Sequence, residues 1–389
     1  MKISKVAGSL GESATLKLNA TAAALRAQGE AVIHLGGGEP KSKAPVGALM
    51  SAAALLNTGE VRYTPASGMP ALKEAIVAYT REYYHRDVEP RNVMASGGAK
   101  QAIMVGLQAV VDPGDEVMFP VPYWVSYPDM VRLCGATPVP VRPADGSFHP
   151  RLSDIEQKTT PTTKAVMINS PNNPSGAMYS EEFIKDIVRF CESRDLYLIM
   201  DDIYHRLVFD ECRPISCYDH TSRHVDESKL IAINGVSKQY AMTGFRLGWA
   251  VASKELIRVM GIIQGHQTSG PSALSQQAAI GALSGPQDGV EGLRATLENN
   301  RNVLLERLRG IPNVKVTKPD GTFYCFVDFS HYEADSAKLA RFLLEQARVV
   351  TIPGIAFGLD GHLRISFCGS IRDITEGTDR IKSALATYR

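Results

Sequence analysis

No sign of charge dominates this chain: 42 lysines and arginines stand against 41 aspartates and glutamates, a formal net charge of +1, with no long run of either. So even a balance makes nucleic acid and anionic membranes poor partners. No apolar stretch approaches the roughly 18 residues of a membrane span, and the start, Met1-Lys2-Ile3-Ser4-Lys5-Val6-Ala7, lacks the apolar core of a secretion signal. A soluble, cytoplasmic protein is expected. The six cysteines, Cys134, Cys191, Cys212, Cys217, Cys325 and Cys368, show neither Cys-x-x-Cys spacing nor the density of a disulfide scaffold, so reduced and mostly buried thiols are expected. The nine histidines form no ligand spacing, and no metal is expected. Internal repeats and low-complexity linkers are also missing.

What is present is length and alternation. At 389 residues the chain exceeds the roughly 250 to 300 at which single cores stop growing, so two domains are the default. From about 90 to 255, strand-like and helix-like segments alternate, the signature of an α/β domain with a mainly parallel sheet flanked by helices. Strands are expected at Val93 to Ala95, Glu116 to Phe119, Ala165 to Asn169, Leu196 to Met200, Leu230 to Asn234 and Trp249 to Ser253. Ser180 caps a helix whose Phe183, Ile184, Ile187, Val188 and Cys191 face the sheet. After Pro286 a long polar helix, about Val290 to Leu308, leads into a smaller α+β unit with strands near 314–316, 323–327 and 363–366 and a helix over 336–347.

Open α/β sheets bind ligands beyond the carboxyl ends of their strands, and three strand ends here carry chemistry. One runs into Asn169-Ser170-Pro171-Asn172-Asn173-Pro174-Ser175-Gly176, the next into Asp201-Asp202-Ile203-Tyr204, the third into Gly235-Val236-Ser237-Lys238. An amine at a strand end can be desolvated and so activated as a nucleophile or base. Arg246, in Gly244-Phe245-Arg246-Leu247-Gly248, is a planar fork with glycine neighbours that suits a phosphate. Ser96-Gly97-Gly98-Ala99-Lys100 opens a helix whose free N–H groups form a second phosphate cradle. Each piece alone has an ordinary reading, as a turn, a helix cap or a solvated lysine. Together, in this order, they suggest a lysine-bound pyridoxal phosphate.

The same residues carry a resemblance. Asn169-x-Pro171-x-Asn173-Pro174-Ser175-Gly176, Asp201-x-x-Tyr204, Ser237-Lys238 and Gly244-x-Arg246-x-Gly248 resemble the class I aminotransferases, the aspartate aminotransferase family of pyridoxal-phosphate fold type I. Gly36-Gly37-Gly38-Glu39-Pro40, Arg62 to Gly68, Pro122 to Pro128 and Leu363-Arg364-Ile365-Ser366 extend the likeness over nearly the whole chain, and it is most similar to the prokaryotic aspartate and prephenate enzymes. The resemblance implies a large cofactor domain, 46–285, and a small domain built from 1–45 and 286–389. It implies that Lys238 forms the Schiff base with the cofactor and later shuttles a proton, that Asp201 pairs with the pyridine nitrogen, and that Tyr204 and Asn173 bond the ring oxygen. Trp124 would stack on the ring; Arg246, Ser237 and the backbone of Gly98, Ala99 and Lys100 would hold the phosphate. Tyr63 would reach that phosphate from the neighbouring subunit, implying a homodimer with shared active sites. Arg364, helped by Asn173, Trp124 and Gly38, would grip the carboxylate of an amino acid or 2-oxo acid substrate.

There are departures. Lys41-Ser42-Lys43 follows Pro40 where many relatives carry Asp-Phe, and Gly265 to Pro271 contains no arginine for a distal carboxylate. Lys41 and Lys43 are the candidates to replace that charge, with aspartate and glutamate slightly favoured as substrates. A β-lyase or C–S lyase on the same fold stays open as an alternative activity. A non-catalytic regulatory role is disfavoured, because every catalytic group is present.

Overall fold

The computed structural model describes residues 4–10 and 14–388. Its strands, in chain order, are β1 (Ile33–His34), β2 (Val93–Ser96), β3 (Glu116–Pro120), β4 (Thr137–Val141), β5 (Thr163–Asn169), β6 (Tyr197–Asp201), β7 (Leu230–Gly235), β8 (Gly248–Val251), β9 (Lys315–Val316), β10 (Tyr324–Asp328), β11 (Val349–Val350), β12 (Ile352–Pro353) and β13 (His362–Ser366). β2 to β8 form a seven-stranded sheet in the order β2-β8-β7-β6-β5-β3-β4. It is parallel from β7 to β4, while β8 runs antiparallel to both neighbours. The central strands are continuous apolar runs, such as Ala165-Val166-Met167-Ile168, because helices cover both faces and leave no side for water.

The expected strands and the Ser180-capped helix are all found, with ends moved by one to two residues. The Ser180 side chain accepts from the Phe183 N–H, and Phe183, Ile184, Ile187, Val188 and Cys191 are buried. β4 went unread because Thr137-Pro138-Val139-Pro140-Val141 holds two prolines. Its place at the sheet edge, parallel to β3, explains how they are tolerated: an edge strand has one side that needs no N–H donors.

A second sheet, β12-β13-β10-β9, is antiparallel throughout. β1 pairs with β11 in parallel, which brings the amino-terminal segment against the carboxyl-terminal third. The expected helix over 336–347 is an α-helix, Ser336–Phe342, that widens into a π-turn over Leu343–Ala347. Among the described residues, no helix is long and apolar enough to cross a membrane.

Two glycines let backbones meet where the site is built. Gly176, with φ +72°, packs against Pro319 and the Tyr324 carbonyl, pinning the Asn173 loop to the second sheet. A Cβ on Gly248 would lie 2.3 Å from the Ala99 N, at the start of the helix Ala99–Val110. Gly248→Ala should therefore destabilise the fold by about 3 kcal/mol, since the obstacle is backbone that no rotamer can clear. Urea unfolding checks this; a midpoint equal to that of the parent would contradict it.

Candidate active site

Parallel pairing sets Asn169 opposite Asp201 and Asp201 opposite Ile233, so the three strands end at one level. Above those ends opens a cavity of about 1340 Å³. Lys238, Asp201, Tyr204, Asn173, Trp124, Ser237, Ala99, Lys100, Arg246, Arg364 and Gly38 all line it. Gly98 stands at its wall: a Cβ there would lie 2.7 Å from Arg246 Nη2, and its φ of +100° suits glycine. Tyr63 is the exception, 96% exposed and outside the cavity of its own chain.

The charges are arranged by burial. Lys238 Nζ donates to the Gly38 carbonyl at 2.7 Å. Burial lowers its amine from the usual 10.5 to about 8, with the Arg364 charge acting the same way, which leaves a neutral fraction at neutral pH. Burial pushes the Asp201 carboxyl up to about 6, against the pull of the Tyr127 hydroxyl, the Ile203 amide and the Lys238 charge. Tyr127 donates to Asp201 Oδ2 at 2.7 Å, and the Ile203 N–H reaches Oδ1 at 3.4 Å. Burial also holds the Tyr204 phenol well above its ordinary range.

Arg364 comes from β13 and is buried, 6% exposed. Nη1 donates to Asn173 Oδ1 at 3.0 Å and Nη2 to the Gly36 carbonyl at 3.1 Å, while Nε has no partner. The guanidinium lies over the Tyr324 ring at 4.2 Å. Among the described residues no carboxylate pairs with it, so it is a buried cation presented to the cavity. Arg246, exposed by contrast, donates from Nη1 to the Thr243 carbonyl at 2.9 Å, and beside it burial and the Arg246 charge lower the Lys100 amine.

Three lining or supporting residues escaped the sequence reading. Tyr127 lies in the Pro122 to Pro128 segment, but nothing local says that its hydroxyl turns to Asp201. Asn169 stands in the sequence as a strand end and the first residue of a motif, neither of which shows what its amide bonds, and Tyr324, whose hydroxyl is 3.4 Å from that of Tyr204, comes from the other sheet. Their signal is tertiary. His205, next to Tyr204, is buried between Tyr79 and Asn234, and burial lowers it to about 3, so it stays neutral.

Residues 30–381 match the family aminotransferase class I and II. This chain is a class I and II aminotransferase. It is 37% identical over 387 residues to the aspartate aminotransferase of Geobacillus stearothermophilus, covering 98% of each chain. It is 38% identical to a probable aspartate/prephenate aminotransferase of Aquifex aeolicus, over 97% of this chain and 96% of that one. The crystal structure of a Thermotoga maritima aspartate aminotransferase superposes with a TM-score of 0.93 at 36% identity, covering 99% of this chain and 100% of that one. The aminotransferase therefore has the fold-type-I architecture, and family membership favours transamination over the lyase alternative.

Its cofactor is pyridoxal 5'-phosphate, and the residues fit that group. The end of the cavity at Ala99, Lys100, Ser237 and Arg246 offers donors and cations with no acidic side chain among the described residues, as a phosphate requires. Asp201 offers a buried carboxylate without a cationic partner of its own, and Lys238 a desolvated amine. An ionised Asp201 favours a protonated ring nitrogen, so cofactor affinity of the free aminotransferase should fall as pH drops through about 6. The Tyr127 hydroxyl stabilises the ionised form. Tyr127→Phe should raise that midpoint by about one unit, the worth of one charge-assisted hydrogen bond. Fluorescence titrations with pyridoxal phosphate across pH check it; an unmoved or lowered midpoint would count against this role.

Proposed function

We propose that this aminotransferase moves the amino group of an L-amino acid to a 2-oxo acid, with aspartate and glutamate preferred, and that Lys238 is its base. The observation that carries the reading is one cavity holding the Lys238 amine, the Asp201 carboxylate and the Arg364 guanidinium, none of them bonded to an oppositely charged side chain among the described residues. When bound, pyridoxal phosphate supplies an aldehyde that exchanges amines and a ring that takes up the electron pair left at the substrate α-carbon.

The chain's own groups do the rest. Arg246, Ser237 and the N–H groups of Gly98, Ala99 and Lys100 hold the phosphate. Asp201 keeps the ring nitrogen protonated, Tyr204 and Asn173 serve the ring oxygen, and Trp124 limits the ring's tilt. The Arg364 fork, with Asn173, Trp124 and Gly38, binds the substrate carboxylate. Lys238 Nζ would take the substrate α-proton and hand it on to the cofactor's former aldehyde carbon, two bonds away; an amine lowered to about 8 is close enough to neutral pH for both directions.

The dicarboxylate preference is supported by the names of the relatives, aspartate aminotransferases among them, and by Lys41. Lys41 lines the cavity and its largely exposed ammonium pairs with the half-buried Asp373, 3.3 Å away, a pair easily exchanged, whereas Lys43 lies outside the lining. A homodimer sharing its sites is supported by an exposed apolar face around Val46, Met50, Leu56 and Val61, next to Tyr63. The pairing of β1 with β11 supports a small domain of 1–45 and 286–389 beside a large domain of 46–285.

A panel of amino acids and 2-oxo acids, scored by product formed and by the bound cofactor's absorbance, tests the function. Lys238→Ala should lose about a thousandfold or more in turnover and all borohydride-trapped cofactor. Turnover near the parent's rate would refute it as the base. Lys41→Ala should lower kcat/KM for aspartate about tenfold relative to alanine, with Lys43→Ala unchanged. An unaltered aspartate-to-alanine ratio would remove Lys41 from specificity.

A further inference from the structure

Asn169, at the end of β5, engages both ends of its side-chain amide. Nδ2 donates to the Asp201 carbonyl at 2.7 Å, and Oδ1 accepts from the Asn173 N–H at 2.8 Å. Asn173 Oδ1 in turn accepts from Arg364 Nη1 at 3.0 Å. All three side chains are buried, so a bond lost along this line leaves a polar group with no water to replace it. The line crosses from the strand ends of the seven-stranded sheet to a guanidinium delivered by the other sheet.

The two ends depend on Asn169 unequally. The Asp201 carboxylate is held by the Tyr127 hydroxyl and the Ile203 N–H, and Asn169 touches only its backbone oxygen. Arg364 has two acceptors, Asn173 and the Gly36 carbonyl, and an unpartnered Nε. Loosening Asn173 removes half of its in-plane support.

We propose that Asn169 is a positioning residue that fixes Asn173, and through it the Arg364 guanidinium, in the orientation that receives the substrate carboxylate. This rests on the assignment of Arg364 and Asn173 to that carboxylate.

The test uses the holoenzyme, with maleate as an unreactive dicarboxylate probe and the best amino donor as substrate. Asn169→Ala should weaken maleate and raise KM by about tenfold, the worth of one buried hydrogen bond. The loss should fall more on KM than on kcat, since the Asp201 carboxylate keeps its own partners. In combination with Asn173→Ala it should weaken maleate no further than Asn173→Ala alone. Asn169→Ser, one carbon too short to bridge both partners, gives the same readings should the alanine variant fail to fold. Parental maleate affinity and KM in these variants, or additive losses in the double variant, would overturn the proposal. If Arg364→Ala also binds maleate like the parent, the carboxylate assignment itself falls; if Arg364→Ala weakens maleate and Asn169→Ala does not, only the role of Asn169 falls.

Discussion

The parallel register of β5, β6 and β7 is the constraint on which the site depends, because it ends Asn169, Asp201 and Ile233 at one level. Side chains alternate along a strand, so a slip of one residue would present Asp202 where Asp201 stands. Asp202 is also buried, but among different neighbours: its Oδ2 has no partner, and burial, with the Asp201 charge added, holds it well above the ordinary carboxyl range. Of two consecutive buried carboxyls, Asp201, turned to the cavity and to Tyr127, is raised less than Asp202. The apolar runs of the central strands and the helices packed on them enforce that choice.

A site made this way is held at a cost to the fold. Lys238, lowered to about 8, opposes folding fully below that pH, and the opposition fades as pH rises toward the ordinary lysine range. Asp201, raised to about 6, opposes folding above that pH and not below the ordinary carboxyl range. Between about 6 and 8 both therefore act against the cofactor-free protein. A ligand that brings a phosphate, a protonated ring nitrogen and an aldehyde answers these groups together, so its binding is coupled to stability by mass action. Perturbed groups gathered in one cavity thus point to use rather than to structural support.

Chemistry tied to short-range order is legible in the sequence. Lys238, Asp201 and Asn173 follow predicted strands directly, so their shared edge was legible from alternation of strand and helix alone. Gly98 and Arg246 were legible as candidates for a phosphate because helix starts and glycine-flanked loops have local signatures. Tyr127, Asn169 and Tyr324 were not, because their roles are contacts across 74, 32 and 120 positions of chain. β4 was hidden by its prolines, whose tolerance depends on lying at an edge, and that is a property of the sheet order rather than of the segment. Tyr63 carries no intrachain trace of its expected role, since a residue acting on a second subunit is, within its own chain, only an exposed aromatic ring.

The way Arg364 is held bears on how a substrate enters. Its two engaged donors rest on an amide oxygen and a backbone carbonyl, neutral acceptors that satisfy the guanidinium without neutralising it. A carboxylate offers the same donors charge-assisted bonds about twice as strong, and Nε adds a third donor that is already desolvated. Had an aspartate or glutamate stood in place of Asn173, the arginine would be paired in advance and a substrate would have to displace a charge. The stacking of Arg364 on Tyr324 keeps the guanidinium plane fixed while its partners are free to change. Neutral holding of a buried cation would thus favour an anion at this site while leaving the guanidinium available.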